Sequence, residues 1–270
     1  MPAADGTTEE GAGRPAPGAP DTTMSTPTLL AVAHGSRDPR SARAVSALFD
    51  RVRSLRPGLD VRVSYLEHVS PSTDDALAAL DTEGIEETVV LPTLLTAAFH
   101  SKVDLPGVLN GARERGLGTR VHYAETLGPD PLLLTAVERR LSEAGARPCP
   151  TTALVLASAG SSDPEANSTI EAMARDLAAR GLWREVVPAF ASAASPTPAE
   201  AVAAVRGRGA ERVAVSGYLL APGFFSDRVR HQATGAGASV VADALGDVPE
   251  LARVVLDRYD AAVASRHAVA

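Results

Sequence analysis

The chain has one cysteine, Cys149, in 270 residues. A single thiol forms no internal disulfide and cannot supply the cysteine set of an iron–sulfur cluster, so neither a disulfide scaffold nor such a cluster is expected. Aromatic residues make up only 4% and the formal net charge is -7. A nucleic-acid surface needs a basic stripe or stacking platforms, and that class is set aside. No apolar run approaches the about 18 residues required to span a bilayer, and the start of the chain lacks the basic-then-apolar order of a signal peptide. No membrane association is expected, and the cytoplasm is the expected location. Global charge does not decide what a pocket binds, because local arginines and helix N-termini can still hold an anion.

What is present is an ordinary globular composition, 45% hydrophobic, in a chain long enough for two domains. Residues 1–25 are the exception: Ala, Gly, Pro, Thr, Asp and Glu without apolar periodicity, which reads as a disordered tail. From Thr28 onward, short β-rich runs alternate with amphipathic helical segments, the signature of βαβ units and a mainly parallel sheet. Strands are expected over 29–33, 61–67, 88–94 and 120–125, and helices over 41–55, 72–80, 103–115 and 131–144. The first helix is read from Val45, Leu48, Phe49, Val52 and Leu55 at helical spacing, stopped by Pro57-Gly58. Pro148 and Pro150 mark a linker. The expected division is a first lobe at 26–146, a linker at 147–152 and a second lobe at 153–270.

The second half repeats the first. Gly160-Ser161 and Asp163-Pro164 stand 125 residues after Gly35-Ser36 and Asp38-Pro39, and Ser195-Pro196, Leu219-Leu220, Phe224 and Ser226 keep that separation from Ser70-Pro71, Leu94-Leu95, Phe99 and Ser101. One register through four segments implies two homologous lobes. A shorter connection follows late in the second, where Leu245-Gly246 stands 118 residues after Leu127-Gly128.

Ligands of open parallel sheets bind beyond the carboxyl ends of the strands. His34 follows the first strand, Glu67 ends the second and His100 lies past the third, so three metal-competent side chains are expected at one edge. Imidazole and carboxylate together suit Fe, Co, Ni or Zn better than Mg or Ca. A histidine at a strand end can equally be a hydrogen-bonded structural residue, and periodicity does not choose between the two. The other histidines, His68, His122, His231 and His267, read as structural or solvent-facing, and the adjacent Phe224 and Phe225 read as core in preference to a surface that packs on a flat ligand.

The run from Leu30 to Pro39, with His34-Gly35-Ser36 at its centre, then Tyr65-Leu66-Glu67, then Leu91-Pro92-Thr93-Leu94-Leu95 leading to Phe99-His100, resembles the sirohydrochlorin chelatases of CbiX/SirB type over 28–260. The resemblance implies an ATP-independent class II chelatase of the long form, with two tandem flavodoxin-like α/β lobes facing each other across a cleft. It implies that Fe2+ or Co2+ is inserted into sirohydrochlorin, a step of siroheme or cobalamin synthesis. His34 and His100 match the metal-binding histidines, and Glu67 the acidic position associated with metal handling or proton removal. The implied substrate is a macrocycle with eight carboxylates, for which Arg37, Arg40, Arg43 and Lys102 are candidate contacts beside the histidines. In the second lobe Ala159, Ser192 and Phe225 stand where His34, Glu67 and His100 do, so one site per chain and a monomer are expected. The alternative is a carrier of metal or tetrapyrrole that uses the same cleft without catalysing insertion.

Overall fold

A computed structural model describes residues 26–96 and 104–266 of the chain. Residues 1–25, expected as a tail, lie outside the described part, as do His100 and Lys102. Eight strands and eight helices alternate: β1 (Thr28–Ala33), α1 (Pro39–Leu55), β2 (Val61–Tyr65), α2 (Thr73–Thr82), β3 (Glu87–Pro92), α3 (Leu105–Glu114), β4 (Arg120–Tyr123), α4 (Pro131–Glu143), β5 (Thr152–Ser158), α5 (Pro164–Ala179), β6 (Val186–Phe190), α6 (Pro198–Gly207), β7 (Arg212–Gly217), α7 (Phe224–Gly235), β8 (Val240–Val241) and α8 (Pro249–Arg266). They form two parallel sheets, ordered β2-β1-β3-β4 and β6-β5-β7-β8. The tandem α/β architecture expected from the alternation is therefore present. Among the described residues no helix is long and apolar enough to cross a membrane.

Local chemistry sets where the helices begin. Asp38 caps α1 by accepting from the Arg40 amide at 2.9 Å, with Pro39 in the first turn; Asp163 and Pro164 do the same for α5 through the Glu165 amide at 3.0 Å. Capping boxes start α2, between Ser72 and Asp75, and α6, between Thr197 and Glu200. The central strands β1 and β5 are buried along their whole length, as strands covered on both faces must be.

Several boundaries differ from the sequence expectation: α1 begins at Pro39 and not at residue 41, and β4 stops at Tyr123 and not at residue 125. β2 stops at Tyr65 and not at Glu67: the Leu66 amide still bonds the Ala33 carbonyl in register at 3.0 Å, but the Glu67 amide turns to the His34 carbonyl at 3.0 Å and the chain leaves the strand. β3 stops at Pro92.

The last helix of each half packs on the other half. α8 lies against α1, β3 and β4, while α4 lies against β7 and crosses α8. Polar ties follow the same exchange. The Tyr259 hydroxyl donates to the Pro27 carbonyl at 2.6 Å, the Arg258 guanidinium donates to the Thr126 carbonyl at 2.8 Å, and Arg56 pairs with Asp260. In the other direction the Arg140 guanidinium donates to the Leu245 carbonyl at 2.7 Å. One continuous apolar core results, running from Leu29 and Phe49 through Leu133 and Val137 to Leu154, Leu251 and Val255.

Candidate active site in the cleft between the lobes

In the first sheet the chain leaves β1 to one side through α1 and returns past it to β3, so the carboxyl ends of β1 and β3 flank the point where strand order reverses. Such a point leaves a crevice for a ligand. Its counterpart at β5 and β7 faces it, and the two together enclose a cleft of about 770 Å³. His34, Ser36 and Thr93 line one wall; Ser161, Tyr218 and Phe225 line the other.

His34 is half-buried at the exit of β1, and its Nδ1 lies 3.2 Å from the Gly35 carbonyl. A carbonyl only accepts, so a neutral imidazole that donates to it from Nδ1 presents its Nε2 lone pair for a metal. Gly35 fixes the turn. Its φ is +89°, and a Cβ there would fall 1.8 Å from the Glu67 carbonyl oxygen. The loop after β2 is thereby held against the histidine backbone.

That loop holds Glu67 near His34 only through its backbone. The Glu67 carboxylate is half-exposed and pairs with His68 Nε2 at 3.3 Å, and it does not line the cleft. A strand running on through Glu67 would put His68 on its opposite face. Both residues lie in the exit turn instead, with His68 at φ +64°, so strand alternation does not apply to them.

The four basic candidates separate. Lys102 lies outside the described residues. Arg37 and Arg43 are exposed and make no ion pair among the described residues. Arg40 is committed to protein partners: it pairs with Asp38 at 2.6 Å and, across the lobes, with Asp227 at 2.5 Å. The hydrogen bond from Arg40 holds the Asp38 carboxyl down at about 2. Among the described residues no three His, Cys, Asp or Glu side chains gather as a metal site, and His100 is not among those residues.

The second lobe reproduces the scaffold down to single bonds. Ser192 and Ala191 donate their amides to the Ala159 and Ser158 carbonyls, at 2.8 and 2.9 Å, as Glu67 and Leu66 do to His34 and Ala33. Gly160 has φ +82°, and a Cβ there would sit 1.9 Å from the Ser192 carbonyl oxygen. Ala193 repeats the left-handed backbone of His68, at φ +58°. The shortened connection is confirmed by the Leu245 amide bonding the Leu219 carbonyl, as the Leu127 amide bonds that of Leu94.

Two features of this wall were not expected. Tyr218, in the place of Thr93, is buried and donates its hydroxyl to the Leu95 carbonyl across the cleft at 3.0 Å. Burial raises its pKa, so it remains a donor at any physiological pH. Phe224 and Phe225 are not core. They are 68% and 38% exposed and line the cleft, because α7 buries Val229 and Ala233 while its first turn projects beyond the sheet. The signal was partial: the stripe through Val229 and Ala233 leaves 224 off it, but at helical spacing it extends back to 225 and gives no sign of that residue's exposure.

The CbiX family model matches residues 28–144 and again 153–262. The sirohydrochlorin ferrochelatase of Priestia megaterium is 27% identical over 245 residues, which span 88% of this chain and 91% of that one. The sirohydrochlorin cobaltochelatase of Methanosarcina acetivorans is 29% identical over 124 residues, 43% of this chain and 95% of its own length, so it corresponds in size to one half. Among solved structures, SirB from Bacillus subtilis with Fe3+ superposes with a TM-score of 0.79 at 23% identity, over 90% of this chain and 98% of that one, and shares its fold.

Proposed function

The chain belongs to the CbiX family, and on that premise we infer that it inserts a divalent metal, Fe2+ or Co2+, into sirohydrochlorin without ATP. The observation that carries the site is His34, held by Gly35 at the strand-order reversal of the first sheet, on the wall of a cleft between two lobes.

In this reading His34 and His100 are the metal ligands of the first lobe. Two imidazoles leave coordination positions open for the macrocycle's nitrogens, and neutral imidazole also accepts a proton. Two pyrrole N–H protons must leave as the cation enters. In this reading Glu67 takes part in metal handling or proton removal from the loop behind His34, although its carboxylate pairs with His68 and does not line the cleft. Arg37 and Arg43 are the cations left for substrate carboxylates, together with Lys102, while Arg40 holds the lobes together. Residues 26–146 form the working lobe and 153–270 a degenerate one, in a monomer of the cytoplasm. The relatives named above are described for iron and for cobalt, so the metal is assigned as a class.

The test is to follow absorbance of sirohydrochlorin with Co2+ or Fe2+ against an enzyme-free control, for the parent, His34→Ala and His100→Ala. Both variants are expected to fold and to lose insertion. Insertion by both at the parent rate would overturn the ligand assignment, and tight binding without acceleration in the parent would leave a carrier.

A further inference from the structure

We propose that Phe224 and Phe225 form the platform on which the tetrapyrrole lies, supporting the macrocycle face opposite the one that receives the metal. The inference rests on the chelatase reading above. Of the five phenylalanines in the chain, Phe49 and Phe190 are fully buried, whereas these two are adjacent, exposed and on the cleft wall. Large apolar side chains held open to water inside a cleft mark a surface that is covered when ligand binds.

Their arrangement suits a flat ring. The two rings meet edge to face, with centroids 5.3 Å apart and planes at 72°. A macrocycle can therefore stack on one ring while the other meets it at its edge, both of which are favoured aromatic contacts. The repeat adds direction. Phe225 stands 125 residues after His100, the position that in the first lobe bears an imidazole. Metal-binding chemistry on one wall thus faces aromatic chemistry on the other, as is needed if the cation enters from one side of a ring supported from the other. The platform is also anchored. The Gly223 amide donates to the Ser226 hydroxyl at 2.8 Å, and Asp227 in the same turn is tied to Arg40 of the first lobe.

The experiment measures binding of metal-free sirohydrochlorin, by quenching of its fluorescence, to the parent, Phe224→Ala, Phe225→Ala, the double alanine variant and the double leucine variant. Co2+ affinity and melting temperature are recorded in parallel. Each alanine variant should weaken macrocycle binding by about 3- to 10-fold, a span set by typical aromatic-pair energies, and the double variant by more. Co2+ affinity should stay within about twofold, since neither ring has a metal-binding atom. The leucine variant should recover only part of the loss. A double alanine variant that binds like the parent, or a leucine variant that does, overturns the platform. Failure of the parent itself to bind and metallate sirohydrochlorin removes the chelatase reading and this inference with it, whereas a parent that metallates beside an unaffected double variant removes the platform alone.

Discussion

Gly35→Ala and Gly160→Ala make a matched pair, because the same local geometry occurs twice and only one copy carries a histidine. Both glycines hold left-handed backbone, and in each a Cβ would fall within 1.9 Å of a carbonyl oxygen, that of Glu67 or of Ser192. Left-handed backbone costs a residue with a Cβ about 1–2 kcal/mol, and displacing a packed backbone oxygen adds about 1–3 kcal/mol. Each variant should therefore lose about 2–5 kcal/mol, within the about 5–15 kcal/mol that ordinary proteins have in reserve. At about 2–4 °C per kcal/mol for a chain of this size, melting should fall by about 4–20 °C. The two variants should melt alike. They should differ in Co2+ binding and insertion measured well below the melt, where Gly35→Ala moves His34 and the Glu67 loop while Gly160→Ala moves only Ala159 and Ser192. Calorimetric titration and the absorbance assay, run on both at equal folded fraction, give the comparison. Equal loss of Co2+ affinity in the two, or none in Gly35→Ala, would refute the placement of the site in the first lobe.

Asp38 is depressed to about 2 from an ordinary value of 3.8 by its bond from Arg40, so its contribution to stability is present above about pH 4 and lost as pH falls through about 2; Arg40→Ala should flatten acid unfolding across that window, as followed by circular dichroism. Tyr218→Phe removes the bond to the Leu95 carbonyl and should cost about 0.5–1.5 kcal/mol in urea unfolding, with no change in Co2+ affinity. Ending the chain at residue 248 removes α8, which buries Leu251, Val254, Val255, Leu256 and Tyr259 largely against the first lobe. At about 1.5–3 kcal/mol for each buried side chain, that loss is comparable to the stability of an entire domain, so proteolysis should show the first lobe unfolded, and a protected first lobe would contradict the exchange of helices.

Much of this architecture was legible in particular residues. The Asp-Pro steps at 38–39 and 163–164, read as marks of the repeat, also start helices α1 and α5, and the 125-residue repeat extends to matching hydrogen bonds behind both turns. The 118-residue separation later in the chain reappears as the matching Leu127 and Leu245 amide bonds. Other features could not be read. Nothing in Leu66-Glu67 itself marks the end of β2, and it is the His34 carbonyl that draws the Glu67 amide out of the strand. The amphipathic faces of α4 and α8 announce burial but not which sheet they bury against, because periodicity is local and the exchange is a tertiary fact. Phe224 and Phe225 read as core because aromaticity suggests burial, yet they project past the sheet edge. Arg40 read as a substrate cation because nothing in its own segment reveals Asp227, 187 residues away.

The exchange of helices also bears on why the second half repeats the scaffold with Ala159 and Ser192 at the positions of His34 and Glu67. Each sheet is covered by a helix from the other half, α8 on β3 and β4 and α4 on β7, so unfolding of the second half would strip the core beneath the first sheet. Packing in the second half therefore remains tied to the first, while its ligand positions do not. On the reading that His34 and His100 hold the cation, imidazoles at 159 and 225 would face it from the opposite wall. Four protein ligands close a tetrahedral shell, which is the arrangement of a structural metal site and not of one that must give its ion away. Ala159 and Phe225 leave that side of the metal open, and the four nitrogens of the macrocycle can then take the place that a second set of histidines would have filled.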